Sequence, residues 1–102
     1  MNAYEILQTA AQLVSGNRQA THGPKERNFA NIALLWNAYL EIIAPEVQII
    51  LTPIDVGLMM ALMKIVRAGQ PWGRLNLDNY VDLAGYAGCA GEIASQEIGT
   101  DP

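Results

Sequence analysis

The chain has 102 residues, 51% of them apolar and 16% charged, with a formal net charge of −4, a size that bounds it to one domain. That apolar content excludes a disordered tail, and the acidic balance argues against duplex nucleic acid as a partner. A chain this small hides only about 60–70% of its unfolded surface when it folds alone, so part of the apolar excess is expected between the subunits of a homo-oligomer.

Asn2 is placed to cap a first helix over residues 3–15, with Glu5 three positions on as its capping-box partner. Ile6, Leu7, Ala10, Leu13 and Val14 share one face at helical spacing, and Gly16 suits a left-handed residue just past the end. Residues 16–24 are polar and flanked by glycine, and read as a loop. Pro24 suits the first position of a second helix over 24–43, where its missing N–H would be unsatisfied anyway. The stripe of that helix is Phe29, Ile32, Ala33, Trp36, Leu40 and Ile43, with Trp36 and Tyr39 read as packing residues. Pro45 lies beyond its end.

A third helix over 53–68 is announced by Thr52 as cap, Pro53 at the first position and Asp55 near the positive helix end. Leu51 and Val56 have the spacing of a hydrophobic staple, and Gly69 is placed to close the helix. Val56, Leu58, Met59, Met60, Leu62, Met63, Ile65 and Val66 make it apolar almost all round. It is therefore predicted to be central or covered on two sides, with Met59, Met60 and Met63 in the core. Residues 70–76 form a second loop holding Pro71, Trp72, Gly73 and Arg74. Asn76 or Asp78 then caps a last helix over 78–96. Its Gly85, Gly88 and Gly91 each cost up to about 1 kcal/mol relative to alanine, which predicts another backbone packed closely against them. No strand signal competes. The chain reads as all-α: a four-helix, bundle-like single domain packed into an oligomer.

The single Cys89 has no internal disulfide partner and no basic neighbour, so a buried, inert thiol in a reducing, cytoplasmic protein is expected. One histidine and one cysteine leave any metal to carboxylates and amides. The start of the chain lacks the basic segment and apolar run of a signal peptide. The most apolar region, from Val47 to Val66, is broken by Thr52, Pro53, Asp55 and Lys64, well short of the roughly 20 residues of a membrane span. Neither a membrane partner nor a phosphate-binding glycine loop, dinucleotide fingerprint or nucleophile elbow is indicated.

Function is sought in the few polar groups on these apolar helices. Lys64 and Arg67 share a face of the third helix, and Asn79 and Asp82 share a face early in the fourth. The short connection makes the two helices antiparallel neighbours, which brings both pairs to one end. Either Lys64 or Arg67 forms an ion pair with Asp82, or the group is a binding site beside a loop carrying Trp72 and Arg74. The first loop is a second candidate. Arg18, Thr21, His22 and Gly23 precede a helix start, where free backbone N–H groups favour an anion. Lys25 and Arg27 in the following turn oppose the helix dipole, as they would if an anion offset them.

Arg18, Thr21, His22 and Gly23, then Asn28, Phe29, Trp36 and Tyr39, then Asp55, Met60, Lys64 and Arg67, then Asp78 to Asp82 with Gly85 and Tyr86, together resemble a small family of phages and prophages. The resemblance spans residues 15–95 and carries no established activity. Asn79 and Asp82, followed by Leu-Ala-Gly-Tyr, also look like the Glu-x-x-Asp helix of the all-α nucleoside triphosphate pyrophosphatases. There a Glu-x-x-Glu on the preceding helix supplies the other magnesium ligands; here Lys64 and Arg67 stand at the matching separation. Two cations repel a metal and favour phosphate. These residues and the two resemblances together lead to the expectation of a homo-oligomeric, cofactor-free protein of the host cytoplasm that binds a phosphorylated nucleotide or cyclic nucleotide without hydrolysing it. The ligand contacts would be Arg18, Thr21, His22, Lys64, Arg67, Asn79 and Asp82, with no catalytic residue. Sequestering a nucleotide defence signal is the use a phage setting suggests. One alternative is a divergent magnesium-dependent pyrophosphatase using Asp78 and Asp82 with Glu26, Glu41 or Glu92. Another is an interaction module for a host protein.

Overall fold

A computed structural model of the chain describes residues 1–15 and 24–98. Among these the fold is all-α, with α1 over Ala3–Val14, α2 over Lys25–Ile43, α3 over Pro53–Gly69 and α4 over Leu77–Ile98. No strand forms among the described residues.

Local chemistry sets the helix ends. The Asn2 side chain accepts the Glu5 N–H at 2.8 Å, and the Glu5 carboxylate accepts the Asn2 N–H at 3.1 Å. Ser15 is extended and closes α1 by donating its N–H to the Gln12 carbonyl. Pro24 stands one place earlier than expected, as the cap of α2 and not its first residue. Its ψ of 133° is extended, while its carbonyl already accepts the Asn28 N–H. Thr52 and Asp55 form a reciprocal box at the start of α3, so Asp55 binds the Thr52 N–H at 2.8 Å besides facing the positive helix end. Gly69 is the last helical residue, and Gln70 is the cap. Of the two candidates for α4, Asn76 is the one whose side chain accepts a backbone N–H, that of Asp78, at 3.1 Å.

Helices α3 and α4 form a hairpin, with α1 laid on α4 and α2 laid on α3. This is more open than the bundle-like closure predicted. The core lies where the start of α2 crosses the hairpin and comprises Phe29, Ala33, Val56, Cys89 and Ile93, flanked by Trp36 and Met60. Asn37 fastens the segment before α3 by accepting the Leu51 N–H and donating to the Leu51 carbonyl, at 2.8 and 2.9 Å. Lys25 pairs with Glu92 at 2.8 Å, which ties the start of α2 to α4.

Three packing expectations are corrected. Helix α3 buries only the arc of Val56, Gly57, Ala61 and Lys64, and its opposite arc lies open. Of the three methionines expected in the core, only Met60 packs there; Met59 and Met63 are exposed, as is Tyr39 of α2. An all-apolar helix carries no contrast to say which side faces its neighbours, so packing chose. The close approach predicted for the glycines of α4 falls elsewhere: nothing lies within 4 Å of where a Cβ would stand at Gly88 or Gly91, and at Gly85 only Val14 approaches, at 3.5 Å. The tight contact is at Gly57, where a Cβ would stand 2.9 Å from the Ala90 methyl and 3.2 Å from the Phe29 ring.

Candidate functional site

Two backbone carbonyls of the turn joining α3 to α4 each hold two donors, and a third holds one. The Gln70 carbonyl accepts the N–H groups of Gly73 and Arg74, each at 3.0 Å. The Gly73 carbonyl accepts the Asn76 N–H at 3.1 Å and the buried Asn79 amide at 3.0 Å. The Tyr80 hydroxyl donates to the Arg74 carbonyl at 2.7 Å. Gly73 is buried against the end of α3, and a Cβ there would overlap the Arg67 carbonyl oxygen. Only glycine fits that contact. The turn is thereby held down on α3 while Trp72, 80% exposed, and its neighbours Arg74 and Leu75 stay at the surface.

Behind the turn, Lys64 of α3 meets Asp82 of α4 at 2.9 Å. The Lys64 side chain is only 10% exposed, so its ammonium depends on that carboxylate for compensation. Arg67 lies one turn nearer the tip, exposed, and makes no ion pair among the described residues. The structure thus brings the four predicted helix residues to one end and divides their work. Lys64 and Asp82 neutralise each other, Asn79 fastens the turn, and Arg67 faces solvent. Arg18, Thr21 and His22 lie outside the described residues.

Of the acidic residues of the enzyme alternative, Glu26 and Glu92 meet beside Lys25 and the others lie apart from them. Asp78 is exposed in the first turn of α4, Asp82 is held by Lys64, and Glu41 is exposed on α2. The hydrogen bond from Lys25 holds the Glu92 carboxyl below its ordinary range against the opposing effect of burial, and the same bond raises the Lys25 pKa. Among the described residues no three of His, Cys, Asp and Glu group as metal ligands. No helix among them is long and apolar enough to cross a membrane.

Sequence reasoning placed Trp72 and Arg74 in the loop without assigning them to the site. The available signal was an indole between proline and glycine in a short connection, where a core aromatic has no helix face to pack on.

The chain is 39% identical over 98 residues to the Gene 55 protein of Mycobacterium phage D29, covering 95% of this chain and 58% of that protein. It is also 39% identical over 83 residues to the Gene 55 protein of Mycobacterium phage L5, covering 81% of this chain and 48% of that protein. The chain therefore spans about half the length of the curated relatives it matches. No solved structure matches it. The phage family expected from the motifs is the one found, because residues 5–94 match the Domain of unknown function (DUF6378), and the chain belongs to that family.

Proposed function

We propose that the chain binds a phosphorylated nucleotide at the tip of the α3/α4 hairpin and leaves it intact, as a phage protein that sequesters a nucleotide signal would. The observation that carries the reading is the tip itself: Arg67 and Arg74, neither in an ion pair among the described residues, share one end with exposed Trp72. A guanidinium fork matches phosphate oxygens two at a time. An indole face stacks on a base for about 1–3 kcal/mol. The turn is tied by Asn79 and Tyr80, so little ordering cost remains to be met on binding.

This reading moves the phosphate from Lys64 to Arg67 and Arg74, because Lys64 already has Asp82 as counter-charge. Asn79 and Asp82 become supports of the ligand face and not contacts. Arg18, Thr21 and His22 remain proposed as further phosphate contacts at the entry to α2. The reading calls for no cofactor. The likeness to the pyrophosphatases rests on residues 64–86 and enters here only as the reason to test nucleotides.

The test is titration calorimetry of the purified chain against nucleoside triphosphates, cyclic dinucleotides and an ADP-ribose, with chromatography of the recovered ligand. One of these ligands is expected to bind and return unaltered, with or without magnesium. Trp72→Ala and Arg67→Ala should each weaken binding about tenfold or more, the loss of one stacking or charged contact, with unfolding midpoints unchanged. Absence of binding across the panel overturns the reading. Magnesium-dependent hydrolysis that disappears in Asp82→Asn replaces it with the enzyme alternative.

A further inference from the structure

The arc of α3 turned away from the hairpin carries Leu58, Met59, Leu62, Met63, Ile65 and Val66, all exposed, with Leu62 at 59% and Val66 at 62%. No charged or polar side chain interrupts this arc from Leu58 to Gly69. A solvent-facing helix side normally carries the charge. Helix α2, packed on α3, adds a second exposed stripe of Leu35, Tyr39 and Ile42 at helical spacing.

With about 100 Å² of apolar surface on a side chain of this size, the six half-exposed residues of the α3 arc present roughly 300 Å². That is the size of the largest patch on an ordinary monomer, about 300–600 Å². The α2 stripe holds roughly 200 Å² more, and the two together match the apolar share of one side of a stable interface, about 65% of about 800 Å².

We infer that this face binds a second copy of the chain, α3 against α3 across a two-fold axis. The stripe is symmetric about Leu62: Leu58 and Val66 lie four residues to either side, and Met59 and Ile65 lie three. An antiparallel pair therefore sets Leu62 on its own copy and Leu58 on Val66, the self-complementarity an isologous contact requires. Charge selects the same face. Each copy carries −4, so contact through an acidic surface adds repulsion, whereas this arc buries no charge. The inference does not depend on the nucleotide reading.

Light scattering on the intact chain, over a wide concentration range, tests it. The expected mass is twice the 11.1 kDa of one chain. Leu62→Glu is expected to give the single-chain mass with an unchanged helical circular-dichroism spectrum, since the side chain is exposed in the isolated subunit. Under mild oxidation Leu62→Cys is expected to cross-link two chains, whereas Leu34→Cys, on the other flank of α2, is not. If Leu62→Glu fails to fold, the cysteine pair decides. A single-chain mass at every concentration overturns the inference and leaves the face to a host protein or to a further segment of a longer chain. A double mass that persists in Leu62→Glu, with no cross-link at position 62, overturns it equally.

Discussion

Replacing Gly57 with alanine sets two effects of known size against each other. Alanine in a helix interior is favoured over glycine by up to about 1 kcal/mol. The added methyl, however, would stand 2.9 Å from the Ala90 Cβ and 3.2 Å from the Phe29 ring. The first distance is too short for two carbons, and the Ala90 methyl has no torsion by which to move aside. The helices must separate, and overpacking of this kind costs about 1–3 kcal/mol. Gly57→Ala is therefore expected to destabilise by about 1 kcal/mol net. The complementary change, Ala90→Gly, should lose a similar amount through backbone entropy and a lost contact. Exchanging the two residues restores one methyl to the contact and cancels the propensity terms. The double variant should then be more stable than the sum of the two single losses predicts, a coupling of about 1–2 kcal/mol, with a residual loss from the 3.2 Å approach to the Phe29 ring. Urea midpoints at constant slope and fixed protein concentration measure all four corners. A Gly57→Ala variant as stable as the parent, or more so, would refute the contact.

Asp82→Asn should cost about 2–3 kcal/mol, because it strands a Lys64 ammonium whose side chain is only 10% exposed. Lys64→Met should cost less, since the Asp82 carboxylate it releases is 32% exposed; thermal melts showing the reverse order would contradict this account. The Lys25–Glu92 tie should contribute below about 1 kcal/mol, because Glu92 is half exposed. Its pH dependence has a defined sign. Glu92 is lowered on folding, so its contribution is present above the ordinary carboxylate value near 4.5 and disappears as pH falls through the lower folded value. Lys25 is raised, so its contribution is present below 10.5 and disappears as pH climbs through the higher folded value. The stability difference between the parent and Glu92→Gln should therefore be largest between those limits and shrink beyond both; a flat difference across them counts against the tie.

The helix ends were readable because capping is a local exchange within three residues. Asn2 with Glu5 and Thr52 with Asp55 form their boxes whatever the rest of the chain does. The Lys64–Asp82 pair was readable as one of two options, because a connection this short forces neighbouring helices and brings opposite charges to one end. Choosing Lys64 over Arg67 required the level at which the helices cover one another. Both lie on the side of α3 that carries Val56, but Lys64 is buried whereas Arg67, one turn nearer the tip, is exposed.

Burial within α3 could not be read, since a helix with apolar residues on every side offers no periodic contrast, and the position of α2 and α4 alone separates Met60 from Met59 and Met63. Glycine spacing likewise pointed to α4, whereas the close contact belongs to Gly57 against Ala90, residues thirty-three positions apart. The role of Asn79 was hidden for a related reason: its amide binds a carbonyl of the turn, and that carbonyl is positioned only once Gly73 has packed against Arg67. Sequence alone located each helix start to within a residue and determined the all-α character of the described residues, because those depend on neighbours in the chain. Which apolar residues are hidden, which cation stays free and which glycine is indispensable were decided by the tertiary structure, because each depends on the angle at which distant helices meet.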